Sequence, residues 1–266
     1  LSVYQIVYMD RVPDRAACSE AVKLAQKRRF GGLKGFVNGV LRTISREKEG
    51  ISFREPWVEL SLPRWLYEMW EGQYGKEVTG WMGRAFLEED AETTVWVKPE
   101  MRGEALESLA SQGVRALPDS ELPDLLKLSG YDYLESLEAF KKGWLQVQDR
   151  SSYLAGVAAP PEKESFVLDV CAAPGGKSLH MAQLMDGKGC VEARDLTDRK
   201  RELIEENVRR SGFQNVYCKT WDARILDASM EDRADLVIAD LPCSGLGILG
   251  KKPDIRWNMS PQQMRE

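Results

Sequence analysis

The chain has 266 residues, of which 43% are hydrophobic and 30% charged, and its net charge is −5. It contains no apolar run of roughly 18 residues, so we predict no membrane-spanning helix, and it shows no secretory signal pattern. Five cysteines without Cys-x-x-Cys spacing favour free thiols in the cytoplasm. A single histidine, His180, disfavours histidine-based metal chemistry. We therefore expect a cytoplasmic monomer that binds neither a membrane nor a metal.

Residues 1–49 carry apolar side chains at helical spacing, which predicts an all-helical segment. Asp14 is expected to cap one helix, and Gly31-Gly32 to separate it from a second helix over Lys34–Arg46. The span from Lys23 to Arg46 contains seven basic residues and no acid. This pattern fits either a solvated helix surface or a basic face that binds phosphates on an otherwise acidic protein.

Residues 50–130 predict a small α+β region. Helices are expected from Pro63 and over Thr79–Leu87, with a break at Tyr74–Lys76. Alternating β-branched residues predict a strand at Thr93–Lys98. A second strand is expected at 113–116, and 118–130 is expected to be a loop with one helical turn. Four tryptophans of this region fit either a core or base stacking, with the core favoured: Trp57, Trp65, Trp70 and Trp81.

From Phe166 onward the chain alternates strand, helix, strand and helix, which predicts a Rossmann-like, doubly wound parallel sheet. Strands are expected at 166–170, 189–194, 215–219 and 235–239, and helices at 177–185 and 198–211. A strand at 144–149 and a helix at 151–158 are expected just before this pattern.

The stretch Phe166–Ser178 predicts a buried strand, a tight turn and the start of a helix. Pro174, Gly175 and Gly176 allow a sharp turn and remove side chains that would keep a ligand from the backbone. The helix that begins at Lys177 offers free N–H groups to a polar ligand. We expect a nucleotide-type pocket here.

Acidic residues follow the next three predicted strands. Asp195 lies 20 residues after Gly175, where a carboxylate accepts hydrogen bonds from ribose hydroxyls, although it also fits a helix N-cap. Asp222 is placed to bind an adenine amino group, and Asp240 begins a turn-rich loop. Because parallel strands end at one sheet edge, these residues are expected to meet in one crevice.

The glycine turn does not match either of two common nucleotide-binding motifs. A phosphate-binding P-loop would need glycine where Cys171 stands, and no Gly-x-Gly-x-x-Gly dinucleotide motif occurs. A nucleoside without phosphates, S-adenosylmethionine, fits better.

Cys243 lies in the loop after the fourth predicted strand, beside the expected crevice. It fits either a thiolate nucleophile or an inert cysteine in a turn. Cys171, Cys190 and Cys218 lie on or beside strands, and we expect them to pack.

Several stretches together resemble the Sun family of RNA cytosine-5 methyltransferases. They are Asp169–Ser178, Asp195, Asp240-Leu-Pro-Cys-Ser-Gly245 and Lys252-Pro-Asp-Ile-Arg-Trp257. Leu33–Arg42 resembles the last helix of the NusB-like RNA-binding domain that precedes some of these enzymes.

The resemblance implies three domains. Residues 1–49 would be the C-terminal part of a NusB-like domain, 50–130 a small α+β RNA-binding subdomain, and 131–266 the methyltransferase domain. Ribosomal RNA is the implied partner. The residues that would surround S-adenosylmethionine are Cys171, Ala172, Ala173, Pro174, Gly175, Gly176, Lys177, Asp195, Asp222 and Asp240.

The implied chemistry requires a cysteine. A thiolate adds to carbon 6 of cytosine, and the resulting enamine lets carbon 5 attack the methyl group, with Asp240 assisting at ring nitrogen 3. In the family, the cysteine equivalent to Cys243 is tied to product release, and the attacking cysteine lies in a later Thr-Cys-Ser-type motif. No cysteine follows Cys243, and only the C-terminal part of the NusB-like domain is present, so the sequence is expected to be a fragment, truncated at both ends and without the main nucleophile. We expect this fragment to have little activity and to bind the cofactor weakly or not at all. The alternative is that Cys243 attacks, as in DNA cytosine-5 methyltransferases.

Two other functions stay open on sequence grounds. One is a non-catalytic RNA-binding module formed by the helical segment and the α+β region. The other is an amino-group methyltransferase of RNA, which would need no thiol.

Overall fold

The architecture comes from a computed structural model that describes residues 1–88 and 93–265. Two compact units are present: residues 1–88 with 246–261, and residues 93–245 with 262–265. Among the described residues, no helix combines the length and the apolar character that a membrane span requires.

Helices and strands are numbered here in chain order. The α-helices are α1 (Ser2–Tyr8), α2 (Asp14–Lys27), α3 (Lys34–Glu47), α4 (Pro56–Glu59), α5 (Arg64–Glu88), α6 (Arg102–Ser111), α7 (Glu138–Lys141), α8 (Arg150–Ala158), α9 (Gly176–Leu184), α10 (Asp198–Ser211), α11 (Ile255–Asn258) and α12 (Pro261–Arg265). The strands are β1 (Thr93–Val97), β2 (Arg115–Pro118), β3 (Leu125–Ser129), β4 (Leu145–Val147), β5 (Phe166–Asp169), β6 (Cys190–Asp195), β7 (Val216–Thr220) and β8 (Leu236–Ile238).

The described part of the first unit is helical. Helices α1, α2 and α3 enclose a small core of Ile6, Ala17, Cys18 and Leu41, as the helical spacing predicted. The expectation that Asp14 caps α2 is wrong, because the N-cap of α2 is Pro13. The Asp14 carboxylate instead accepts a hydrogen bond from Ser45 at 2.7 Å and pairs with Lys48, so it joins the start of α2 to the end of α3.

The tryptophans of this unit divide into two environments. Trp70 is buried in an apolar cluster that includes Leu66, and the partly buried Trp57 and Trp65 pack against that cluster, so the core interpretation is confirmed for these three. Trp81 is 67% exposed. Helix α5 is interrupted by non-helical backbone within the predicted break at 74–76.

An antiparallel sheet begins the second unit, with the strand order β2-β3-β1-β4. The prediction of a loop over 118–130 is wrong, because β3 lies there and pairs with both β1 and β2. Leu125, Leu126 and Leu128 are fully buried in this strand. The apolar run of β3 is short and flanked by turn residues, so its sequence alone does not identify a strand. Its pairing with a strand on each side does.

A parallel sheet follows, with the order β7-β6-β5-β8. Val167 lies opposite Val191 on one side and Leu236 on the other, which places β5 inside the sheet. All four strands lie within one residue of their predicted limits, and the Rossmann-like fold class is confirmed. The predicted domain limits at 49/50 and 130/131 remain predictions; β4 lies beyond the second of them and pairs with β1.

A buried carboxylate joins the end of β5 to the first turn of α9. Asp169 is 1% exposed and accepts a 2.7 Å hydrogen bond from Ser178 Oγ. Burial raises the pKa of Asp169 to about 6, although the Ser178 bond acts in the opposite direction. The strand and the helix of the glycine turn are therefore fixed to each other by a polar contact inside the core.

The antiparallel sheet contacts α10 through Arg210. Its guanidinium donates to the carbonyl oxygens of Phe140 and Leu145 and to Gln146 Oε1. Gly143 permits this approach, because a Cβ at that residue would lie 1.9 Å from the Arg210 carbonyl oxygen. The second unit thus has a close backbone contact between its antiparallel part and its parallel part.

The contact at Gly143 predicts a stability difference between two glycine substitutions. Gly143 and Gly113 both have positive φ, 68° and 76°, but a Cβ at Gly113 meets no described atom within 4 Å. Gly143→Ala should lower the free energy of unfolding by about 1 to 3 kcal/mol more than Gly113→Ala, because only the former adds a steric overlap. Urea denaturation measures both. Equal losses would contradict the close approach.

The buried carboxylate predicts a pH effect on stability. The folded-state pKa of Asp169, about 6, exceeds the reference value of 3.8, so the folded chain binds more protons between these values and stability falls as pH rises. The stability of wild type relative to Asp169→Asn should therefore drop by about 2 to 3 kcal/mol between pH 4 and 7. Denaturation at several pH values measures this, with the exposed Asp132→Asn as control. A constant difference would contradict the raised pKa.

Candidate active site

The glycine turn lies between β5 and α9. Gly175 adopts a left-handed conformation with φ of 106°, and its N–H donates to the Ala172 carbonyl oxygen at 2.6 Å. The Ala172 N–H donates to the Arg194 carbonyl oxygen at 2.8 Å, which ties the turn to β6. Helix α9 starts at Gly176, so its first N–H groups lie directly after the turn. This is the strand, turn and helix arrangement that the sequence predicts.

Asp195 ends β6 and contacts the turn directly. Its Oδ2 accepts from the Ala173 N–H at 3.0 Å, and its Oδ1 accepts from Lys200 Nζ at 2.9 Å and from the Leu196 N–H at 2.7 Å. The residue is 3% exposed. Burial acts to raise the pKa of Asp195, but these three hydrogen bonds outweigh it and hold the pKa below its usual value. An ionised acceptor therefore lies at the carboxyl edge of the sheet.

The N-cap alternative for Asp195 is not what the structure shows. Thr197 is the N-cap of α10, and its side chain accepts from the Lys200 N–H. The Asp195 carboxylate instead accepts a hydrogen bond from the Ala173 N–H of the glycine turn.

Asp222 follows β7 in the next loop along this edge. The neighbouring Trp221 N–H donates to the Asp195 carbonyl oxygen at 2.9 Å, which brings the two loops together. Both carboxylate oxygens of Asp222 accept from Arg224, at distances down to 2.7 Å. Hydrogen bonds from Arg224 lower the pKa of Asp222 to about 2. Arg224 thus orients a carboxylate that stays ionised.

Asp240 follows β8 and pairs with the first turn of α9. Lys177 Nζ donates to Asp240 Oδ2 at 2.5 Å. The Lys177 side chain is 22% exposed and that of Asp240 59% exposed, so the pair lies at the surface end of the sheet edge. This contact connects the glycine turn with the loop that carries Cys243.

The cysteines differ in their surroundings. Cys243 is exposed, three residues beyond Asp240. Cys218 packs against the core of the parallel sheet, as predicted, and burial raises its pKa to about 11. Cys171 and Cys190 are half-buried, and burial raises the pKa of both thiols. Among these four, only Cys243 combines exposure with a place on the site loop.

The groups at this edge fit S-adenosylmethionine by their chemistry. An ionised, buried carboxylate at Asp195 suits ribose hydroxyls, and the N–H groups at the start of α9 suit the carboxylate of an amino acid. The assignment of individual residues to the cofactor stays a prediction. In the part of the chain that the structure describes, no group of three His, Cys, Asp or Glu side chains could hold a metal ion.

Three residues that hydrogen-bond the predicted site residues were not predicted from the sequence. Lys200 pairs with Asp195, Arg224 holds Asp222, and Asn207 donates to the Pro174 carbonyl oxygen at 3.0 Å. Lys200 follows Asp195 by five residues across a helix start, and Arg224 is two residues from Asp222, so spacing gives a weak signal for both. Asn207 lies 33 residues from Pro174, and no local pattern indicates that contact.

Comparison with protein families finds two matches. Residues 156–266 match the family described as 16S rRNA methyltransferase RsmB/F, and residues 1–46 match the NusB family. The probable ribosomal RNA small subunit methyltransferase B of Bacillus subtilis strain 168 is 38% identical over 271 residues, which include 98% of this chain. The chain spans 60% of the length of that relative.

Solved structures share the fold. The crystal structure of PH0851 superposes with a TM-score of 0.77 at 24% identity, covering 99% of this chain and 61% of that one. The crystal structure of NSun6 from Pyrococcus horikoshii with SFG gives a TM-score of 0.67 at 20% identity, covering 76% of each chain.

The matched families cover the two parts of the chain that contain the resembling motifs, which are the helical segment at the start and the parallel sheet with its glycine turn. Residues 156–266 therefore form an RsmB/F-type methyltransferase domain and residues 1–46 a NusB-type segment, and the relatives of the chain are Sun-family ribosomal RNA small subunit methyltransferases B.

Proposed function

We propose that this protein methylates carbon 5 of a cytosine in ribosomal RNA, with S-adenosylmethionine as the methyl donor. The observation that carries the proposal is the Lys177–Asp240 pair. It joins the turn proposed to hold the donor to the loop that presents Cys243. A donor site, a carboxylate and an exposed thiol on adjoining segments are the groups that methylation at a weakly nucleophilic ring carbon needs.

The donor site is proposed to consist of the turn from Cys171 to Lys177 together with Asp195 and Asp222. Asp195 would accept from the ribose hydroxyls, because it is ionised and already oriented by the Ala173 N–H. Asp222, held by Arg224, would accept from the adenine amino group. When bound, the cofactor supplies an electrophilic methyl group.

The acceptor side is proposed to use Asp240 and Cys243. Asp240 would act as the carboxylic acid: it would donate a hydrogen bond to ring nitrogen 3 of the cytosine, where negative charge develops when a thiolate adds to carbon 6. Lys177 would hold the Asp240 carboxyl group in position through their 2.5 Å contact. Cys243 is proposed to assist release of the methylated base, and direct attack by Cys243 is the alternative.

Ribosomal RNA is the proposed substrate because the curated relative from Bacillus subtilis is named for the ribosomal small subunit and the NusB match covers residues 1–46. In that segment the described surface includes a cavity of about 770 Å³ whose lining contains Arg15, Lys23, Lys34 and Arg42. Basic groups around a cavity suit an RNA backbone.

Methylation of ribosomal RNA in vitro tests the proposal. For the whole protein we expect label from the cofactor methyl group to appear as 5-methylcytidine after nuclease digestion. If another cysteine of the whole protein attacks and Cys243 assists release, Cys243→Ala should leave RNA covalently bound to protein, visible as a slow band on a denaturing gel. If Cys243 attacks, that variant should give neither adduct nor methylation. Cys190→Ala is the control and should behave as wild type. Label on an amino group instead would contradict carbon-5 chemistry.

The donor site predicts a cofactor-binding defect for Asp195→Ala. Loss of an ionised hydrogen-bond acceptor should weaken S-adenosylhomocysteine binding about tenfold to one-hundredfold. Calorimetry on wild type, Asp195→Ala and the exposed Asp132→Ala measures this, and the last should bind as wild type. Equal affinity of all three would remove Asp195 from the site.

A further inference from the structure

We propose that Asn207 on α10 is a positioning residue that holds the glycine turn in its cofactor-binding conformation, with its amide oriented by Arg210. The inference rests on the proposed function, since it concerns the same cofactor site. Asn207 lies outside the loops where the sequence placed the site.

The contact between Asn207 and the turn is direct. Asn207 Nδ2 donates to the Pro174 carbonyl oxygen at 3.0 Å and to the Leu203 carbonyl oxygen, one helical turn earlier, at 3.2 Å. Pro174 has no N–H, so its carbonyl oxygen is the one backbone group through which this residue can be hydrogen-bonded. The bond therefore fixes the middle of the turn to α10.

Arg210 determines which way the Asn207 amide faces. Arg210 donates to Asn207 Oδ1 at 3.0 Å, so the amide oxygen is occupied and the amide nitrogen faces the turn. Arg210 itself is held by the carbonyl oxygens of Phe140 and Leu145. The orientation of the Asn207 amide thus depends on backbone groups of α7 and β4.

The turn is held from two sides. On one side, the Ala172 and Ala173 N–H groups bond β6 and Asp195. On the other side, Ile204 packs so closely that a Cβ at Gly175 would lie 3.2 Å from its Cγ2. Asn207 is one turn beyond Ile204 and adds a hydrogen bond to that second side. Loss of this bond should leave the turn fixed on the β6 side alone.

Asn207→Asp distinguishes two roles of Asn207: positioning of the glycine turn, and support of the Arg210 side chain alone. The aspartate still accepts from Arg210, and this pairing with a cation supports the fold. It places an oxygen acceptor against the Pro174 carbonyl oxygen in place of a donor. Arg209→Gln is the matched control, because it makes the same change of net charge at an exposed residue of the same helix. Asn207→Ser removes the donor without adding charge, and serves if Asn207→Asp does not fold.

Amide hydrogen exchange on the cofactor-free chain gives the first measurement. Amides in 171–179, such as those of Ala173, Gly175 and Leu179, should exchange about threefold to tenfold faster in Asn207→Asp than in Arg209→Gln. The Val191 amide, which bonds Asn215 inside the sheet, should exchange equally in both. Unchanged exchange in 171–179 in both Asn207 variants would overturn the proposal.

Calorimetry with S-adenosylhomocysteine gives the second measurement. Asn207→Asp should bind about threefold to tenfold more weakly than Arg209→Gln, with the same urea midpoint. Wild-type affinity in Asn207→Asp would overturn the positioning role and leave only support of Arg210. If none of the proteins bound the ligand, the proposed function would fail, whereas the exchange comparison would still decide whether Asn207 holds the turn.

Discussion

Parallel pairing of β5 with β6 on one side and β8 on the other is the constraint on which the site depends. It brings the ends of three strands to one edge and places the glycine turn between the loops that follow its neighbours. Asp195 reaches the turn across the first pairing, and Asp240 reaches Lys177 across the second. Without this order, the carboxylates would lie on unrelated loops.

The ionisation of the carboxylates at the carboxyl edge of the parallel sheet depends on the hydrogen-bond donors around each of them. Asp195 stays ionised in spite of burial because two backbone N–H groups and Lys200 bond it. Asp169, equally buried, has fewer donors, and burial raises its pKa to about 6. Two carboxylates at the ends of adjacent strands therefore differ in function: one binds inward to Ser178 and supports the fold, and the other faces the proposed ligand.

The antiparallel part of the second unit contributes to the site indirectly. Arg210 bonds its backbone at Phe140 and Leu145, and Asn207 carries that contact to Pro174. The glycine at 143 allows the required approach of the two backbones. Backbone that lies before the parallel sheet in the chain thus also supports the turn proposed to hold the methyl donor.

Much of the second unit was predictable from sequence, since buried parallel strands are continuous apolar runs and the Pro-Gly-Gly turn has a strong local signal. The fold class, the strand limits and the candidate residues from Cys171 to Asp240 came from such local patterns and from the family resemblance. The strand at Leu125–Ser129 and the true cap of α2 did not. Nor did the contacts of Lys200 and Asn207. The sequence by itself determined the order of strands, turn and helices in the parallel sheet and which acidic residues follow the strand ends. Only the tertiary structure decided which of these carboxylates are ionised and oriented, and which contacts hold the glycine turn in place. Those properties depend on groups that lie far apart in the chain and meet only when strands pair and helices pack.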